Sequence, residues 1–179
     1  MTILCLDQAT RVTGYSVWSD GKLKLYDVIK VDTKGRPPLE RMRLMREGII
    51  DIVNRVHPEL VCIEGTQFQS NQKVYGELSQ LQGVIFSIFF AMKIPFCIVQ
   101  PTQWKSFCKI KGKKREEQKR NTQEMVRRDF AIDVSEDIAD AIGIGIYAIN
   151  NFECKEKWDY EKGTEQGCDE TNKKDCRNK

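Results

Sequence analysis

Four acidic residues stand where carboxylates could meet and share a metal ion. Asp7 and Glu64 each follow a short, continuously apolar run, as expected of strands buried on both faces of an α/β sheet. Ligands and chemistry collect at the carboxyl ends of such strands. Asp137 and Asp140 are three positions apart in an apolar segment rich in alanine and glycine, and a helix would present both carboxylates on one face. Singly, these acids could be turn, loop or helix-capping residues; the repeated pattern favours one shared site.

The residue types indicate a hard divalent cation. Oxygen ligands without histidine or thiolate suit Mg²⁺ or Mn²⁺. His57 is the only histidine, and its place before Pro58 predicts a helix cap and not a ligand. Four converging carboxylates would repel one another, and a pair of ions about 3.5–4 Å apart would remove that penalty. Such a two-metal site performs in-line displacement at phosphodiesters.

The first 64 residues predict the sheet that would carry two of these acids. After the strand that ends on Asp7, residues 13–18 and 23–31 alternate like strands on either side of the hairpin signal Asp20-Gly21. An amphipathic helix is predicted over residues 39–56. The next strand follows this crossover, so it is expected to lie parallel to the first, about 4.8 Å away. Asp7 and Glu64 would then lie at one edge of the sheet.

The rest of the chain predicts further helices and one strand. A helix is expected over Val74–Met92. From residue 84 to 90 it is apolar on nearly every side, which predicts that it is buried on more than one side, either by the sheet and another helix or by a second subunit. A buried strand follows at 96–99. We predict the last helix over 135–150, capped by Ser135 or Asp133, with small residues that allow close packing.

A basic segment precedes that last helix. Between Lys105 and Arg120 the chain has eight basic residues against two acids. Such runs are often solvated faces, but beside an acid cluster a role on a phosphate backbone is equally reasonable.

Composition predicts one folded domain, residues 1–152, followed by a tail. The 179 residues are 40% apolar with a net charge of +3, and no run is long enough to cross a bilayer. Residues 153–179 lack Leu, Ile, Val and Met, which predicts disorder. Seven scattered cysteines without a C-x-x-C pair predict reduced thiols, and no signal or transit peptide is expected. We therefore expect a cytoplasmic protein.

Three motifs carry a specific resemblance. They are D-x-A-T-x-x-T-G from Asp7, E-G-T-Q-F from Glu64, and D-x-x-D-A from Asp137. With the basic segment, residues 3–150 resemble the RuvC family of Holliday junction resolvases, and are most similar to its phage and Gram-positive branch. The resemblance implies an RNase H-like α/β fold, with a mixed sheet of a three-strand antiparallel meander plus parallel strands, flanked by helices.

The resemblance also implies a function and a set of site residues. A homodimer, joined through the helix Val74–Met92, would nick Holliday junctions or other branched DNA by two-metal-ion hydrolysis with two Mg²⁺, which Mn²⁺ would replace. A phage-encoded protein would act in the cytoplasm of the bacterial host. The expected catalytic residues are the four metal ligands and a lysine near the scissile phosphate, namely Asp7, Glu64, Asp137, Asp140 and Lys119.

Expected DNA contacts lie in the loop after the second acid and in the basic segment. Many family members have an aromatic residue three positions after that acid, near the junction centre; here Gln67 takes that position and Phe68 follows. The loop before the penultimate helix is more basic than is usual in the family, so we expect weak or no sequence preference. The predicted DNA-binding residues are Phe68, Asn71, Lys105, Lys109, Lys111, Lys113, Lys114, Arg115 and Lys119.

Two other functions fit part of the pattern. A related RNase H-like nuclease acting on flaps, forks or RNA would have the same fold and metal site. A strand-acid followed by Thr-Gly and a hairpin also opens actin-like sugar kinases, which would predict an ATP phosphotransferase; no later glycine-rich adenosine motif is present.

Overall fold

A computed structural model describes residues 1–32, 34–67 and 71–152. Phe68 and the predicted tail, 153–179, lie outside these residues, so the domain boundary at 152 stays a prediction. Five strands and five helices are present in the described part of the chain: β1 Thr2–Asp7, β2 Val12–Ser19, β3 Lys22–Lys30, α1 Pro38–Val56, β4 Leu60–Glu64, α2 Gln72–Met92, β5 Phe96–Val99, α3 Pro101–Phe107, α4 Arg115–Phe130 and α5 Glu136–Asn151.

The sheet is mixed, as the sequence predicts. Its strand order is β3-β2-β1-β4-β5, with β1, β2 and β3 antiparallel and β1, β4 and β5 parallel. Asp20 and Gly21 both have positive φ (52° and 72°), the backbone that a two-residue hairpin turn requires. The predicted parallel pairing of the first and fourth strands is confirmed.

Helices cover both faces of the sheet. One core packs α1 and α2 against the sheet through residues such as Met45, Ile49 and Ile85. The other core packs α3, α4 and α5 against the opposite face and contains Trp18 and Trp104. His57 ends α1 in the left-handed conformation and its N–H donates to Val53 O, which confirms its expected capping position. No helix in the described ranges is long and apolar enough to span a membrane.

Glycines let α5 approach the sheet and α3 closely. A Cβ at Gly143 would lie 2.5 Å from the Trp104 ring, and one at Gly145 would lie 1.8 Å from Trp18 Nε1. The close packing that the sequence predicted for this helix is therefore made, at these two glycines, against tryptophan rings.

Candidate active site

The carboxyl ends of β1 and β4 bring Asp7 and Glu64 together. Leu6 pairs with Ile63 in the parallel register, so the next residue of each strand, Asp7 and Glu64, lies at the same edge. The two carboxyl groups are close enough for the charge of Glu64 to raise the pKa of Asp7. The sequence prediction that Asp7 and Glu64 lie at one edge of the sheet is therefore confirmed.

Helix α5 supplies the other two acids from its first two turns. Ser135 caps the helix by accepting the Ile138 N–H (3.4 Å). Opposite Asp7 in the β1–β2 pairing stands Gly14, and a Cβ there would lie 1.9 Å from the carbonyl oxygen of Asp137. The start of α5 therefore lies directly on the end of β2, in a space that only glycine leaves open.

The pKa values reflect this juxtaposition. Burial raises the pKa of Asp7 well above its usual range, and the charges of Glu64, Asp140 and Asp137 raise it further. Burial, followed by the charge of Glu64, raises the pKa of Asp140 to about 7. Burial also raises the pKa of Glu64, while hydrogen bonds and nearby cations oppose the rise. Mutual repulsion of this kind is what a bound cation would relieve.

The donor chemistry of the acids fits a divalent cation, although their present positions do not form a coordination shell. Within the described residues, no group of three or more His, Cys, Asp or Glu side chains is arranged to hold a metal ion as it stands. Asp140 Oδ1 is buried without a hydrogen-bond partner, which is costly for a polar atom and leaves it available as a ligand. The carboxylates would have to turn toward one another as an ion binds.

Neutral side chains hold the end of β4. Gln8 and Gln82 each donate a side-chain N–H to the backbone oxygen of Glu64 (both 3.3 Å). Trp104 Nε1–H donates to Glu64 Oε1 at 2.8 Å. Sequence reasoning missed Trp104 as a site residue, because only the placement of α3 brings its indole to the acid.

Three predicted basic residues lie beside the acids. The charge of Lys119 lowers the pKa of Asp7 and Asp140, and that of Lys105 lowers the pKa of Glu64 and Asp140. Arg115 acts in the same direction on Glu64. The side chain of Lys119 also forms an ion pair with that of Glu136, at the start of α5.

The four remaining predicted lysines are exposed on the loop between α3 and α4. Side chains of α4 donate hydrogen bonds to the backbone of this loop. Gln118 Nε2–H donates to Gly112 O (2.9 Å), and Asn121 Nδ2–H donates to Lys111 O (2.8 Å). The exposed lysines are Lys109, Lys111, Lys113 and Lys114. They therefore project from a fixed basic loop, next to the helix that carries Arg115 and Lys119.

Asn71 has a local structural role. It is the N-cap of α2, and its side chain accepts the Val74 N–H at 3.2 Å. Its assignment as a DNA contact stays a prediction, as does that of Phe68.

A mixed sheet of this strand order, covered by helices on both faces, is an RNase H-like fold. The sequence matches the model of the family "Crossover junction endodeoxyribonuclease RuvC" over residues 3–148. The chain belongs to the RuvC family and is an endodeoxyribonuclease that resolves Holliday junctions. Membership implies dependence on a divalent metal ion.

Individual relatives and structures agree with this assignment. The chain is 23% identical over 161 residues to the RuvC of Halothermothrix orenii, covering 88% of this chain and 98% of that protein. It is 30% identical over 152 residues to that of Chloroflexus aggregans, covering 82% and 91%. The fold is similar to that of T. thermophilus RuvC in complex with a Holliday junction substrate, with a TM-score of 0.68, 19% identity, and coverage of 83% of this chain and 93% of that one.

Proposed function

We propose that Asp7, Glu64, Asp137 and Asp140 bind two Mg²⁺ ions and that the chain uses them to nick four-way or branched DNA. One observation carries this proposal: Asp7 and Glu64 end adjacent parallel strands, and the start of α5, which carries Asp137 and Asp140, lies against Gly14, the residue paired with Asp7. An all-oxygen set favours Mg²⁺, with Mn²⁺ as a substitute. The chemistry that bound ions supply at a phosphodiester is activation of water and stabilisation of the leaving oxygen.

Each acid has a distinct place in this site. Asp7 ends β1, the strand between β4, which carries Glu64, and β2, against which α5 begins, so it would be the ligand common to the whole set. The Glu64 carboxyl accepts a hydrogen bond from Trp104, and its backbone oxygen accepts hydrogen bonds from Gln8 and Gln82. Asp140 offers a buried oxygen without a partner. Asp137 stands at the first turn of α5.

Lys119 is the candidate contact to the scissile phosphate. Its charge lowers the pKa of Asp7, and its side chain forms an ion pair with the partly exposed Glu136. An ion pair of this kind is weak in water, so a phosphate oxygen would replace Glu136 at little cost. Lys119 would then neutralise charge on the phosphate being cut.

The basic loop supports contact with the DNA backbone. Lys109, Lys111, Lys113 and Lys114 are exposed point charges on the loop that leads into α4, the helix that carries Arg115 and Lys119. Lysines that neutralise phosphates give affinity without reading bases. We therefore propose weak or no sequence preference, with the branched shape of the DNA selecting the substrate.

A homodimer through α2 accounts for the exposed apolar side chains on that helix. Phe90 is 57% exposed, and Val74 and Met92 are also exposed, as is the neighbouring Ile98 on β5. Large apolar side chains exposed along one helix favour a partner surface. A symmetric dimer would present two active sites, as the paired nicks of junction resolution require.

A panel of synthetic DNA substrates tests the proposed function. The protein is incubated with four-way, Y-shaped, flap and linear duplexes, in Mg²⁺ or in EDTA. We expect Mg²⁺-dependent nicking of the branched substrates and none of the linear duplex. Equal cleavage of linear duplex would contradict structure selectivity, and cutting in EDTA would contradict the metal site. Cleavage confined to flaps or forks would support the related nuclease function that the sequence left open.

A further inference from the structure

Trp104 joins the candidate active site to the core behind it. The indole is fully buried, at 0% exposure, and its Nε1–H donates to Glu64 Oε1 at 2.8 Å. A tryptophan N–H can only donate, so it favours a carboxylate oxygen as its partner. The Lys105 ammonium also lies 5.2 Å from the centre of the Trp104 ring.

The ring is held in place from two sides. Helix α3 begins at Pro101, directly after β5, and Gln103 fixes its start by accepting the Gln100 N–H at 2.8 Å. On the other side, Gly143 of α5 leaves room for the ring, because a Cβ there would lie 2.5 Å from Trp104 Cζ3. Helix α5 therefore carries Asp140 and also fixes the ring that contacts Glu64.

Trp104 differs from Asp7, the neighbouring acid. Asp7 is itself a candidate metal ligand, so its contacts would change when an ion binds. Trp104 carries no charge and is locked in the core, so its contact can persist. It would hold Oε1 and leave Oε2 for the ion.

We propose that Trp104 is a positioning residue that fixes the Glu64 carboxylate for metal binding. The inference rests on the proposed function, since it takes Glu64 to be a metal ligand. Partners that orient ligating carboxylates commonly change metal affinity or activity by about 10–100-fold when they are replaced. Trp104 acts through Glu64 and need not touch DNA.

Trp104→Phe tests this proposal, with Trp18→Phe as its matched control. Trp18 is also buried in the α5-side core, faces a glycine of α5 and donates its Nε1–H, but to Ser16 Oγ (3.0 Å). Both variants remove an indole N–H and leave an aromatic ring. Mn²⁺ binding is measured without DNA from the electron paramagnetic resonance of the free ion. Junction affinity in EDTA and kcat at saturating junction in Mg²⁺ are measured separately.

We expect Trp104→Phe to weaken Mn²⁺ binding by about tenfold or more and to lower kcat, with junction affinity in EDTA unchanged. Trp18→Phe should lose folding stability without a change in metal affinity. Equal Mn²⁺ affinities in the two variants would overturn the proposal. Should Trp104→Phe fail to fold, Gly143→Ala displaces the ring without removing a polar atom and should weaken Mn²⁺ binding in the same direction; wild-type affinity there would also overturn it.

Asp7→Asn separates this inference from the function on which it rests. If Asp7→Asn binds Mn²⁺ and cuts junctions like the wild type, the proposed metal site fails, and the role of Trp104 fails with it. If Asp7→Asn is inactive while Trp104→Phe equals Trp18→Phe in Mn²⁺ affinity, only the assignment of Trp104 fails.

Discussion

The fold buries the acids of the site close to one another, which disfavours their charged forms. Burial raises the pKa of Asp7, Glu64 and Asp140, and neighbouring carboxyl groups add to the rise for Asp7 and Asp140. Without a cation, the folded protein therefore keeps protons that the unfolded chain would release. The site costs stability near neutral pH, and a bound ion would remove that cost.

The metal-free protein should lose stability as the pH rises from about 4 to 7. In this window the folded state holds a proton on Asp140, whose pKa is about 7, whereas the unfolded state, with a pKa near 3.8, has released it. Stability therefore falls with pH, by on the order of 2–4 kcal/mol for an uncoupled shift of this size. Denaturant unfolding in EDTA at pH 5 and pH 8 measures the difference.

Asp140→Asn and added Mg²⁺ serve as controls for this trend. The variant should show a shallower pH dependence and be more stable than wild type at pH 8 in EDTA. Mg²⁺ should reduce the wild-type difference between the two pH values. Equal stability of the metal-free wild type at pH 5 and pH 8 would contradict the charge repulsion.

At the scale of the elements, Gly14 sets the approach of α5 to the sheet. Gly14→Ala would place a Cβ 1.9 Å from the Asp137 carbonyl oxygen, which is backbone and cannot yield without moving the helix. We expect the variant to lose both stability and junction cleavage, since Asp137 and Asp140 move with α5. Thermal unfolding and a cleavage assay measure the two losses.

Gly76→Ala is the matched control for Gly14→Ala. A Cβ at Gly76, within α2, meets nothing within 4 Å. Alanine favours a helix over glycine by about 1 kcal/mol, so this variant should be as stable as wild type or more so, in contrast to the loss expected for Gly14→Ala. Wild-type cleavage by Gly14→Ala would show that the close approach of α5 to Gly14 is not needed to position Asp137 and Asp140.

The basic loop between α3 and α4 should set the salt dependence of junction binding. Replacing Lys111, Lys113 and Lys114 by Gln removes three exposed charges from this loop. The slope of log affinity against log salt should become shallower by about 0.9 for each duplex phosphate that the variant no longer neutralises. Fluorescence anisotropy of a labelled junction in EDTA measures this slope.

The control for the basic loop removes the same charge at the far edge of the sheet. Lys22, Lys24 and Lys30 are exposed on β3, at the opposite edge from β5. Their triple Gln variant has the same net charge as the loop variant but should keep the wild-type slope. An equal change in both variants would indicate a general charge effect and not a direct role of the loop at the phosphates.

At the scale of the whole molecule, Phe90→Glu should separate the proposed dimer without unfolding the subunit. The side chain is 57% exposed and contacts the Phe96 ring from one side, so a charge is tolerated in the monomer but not in an apolar interface. Phe107→Glu, also exposed but on α3 against Tyr147, is the control and should stay dimeric. Sedimentation velocity distinguishes the two; a monomeric wild type would contradict the interface.

The sequence predicted those features that follow from local patterns. The longer strands and helices show a clear hydrophobic periodicity or a clear terminating residue. That Asp7 and Glu64 lie at one edge of the sheet follows from two parallel strands that each end in an acid. Trp104 has no such signal, because its hydrogen bond depends on where α3 packs. Gly14 did carry a signal, since a lone glycine inside a strand indicates close approach of backbone, but only the fold identifies that backbone as α5.

Glu64→Gln tests the central claim most directly, because it removes one candidate ligand charge and keeps the shape of the side chain. Glu47→Gln, on the exposed face of α1, is the matched control. Both variants are titrated onto a four-way junction in EDTA and then given Mg²⁺. We expect wild-type junction binding by both variants and cleavage by Glu47→Gln alone. Cleavage by Glu64→Gln at the wild-type rate would contradict the site.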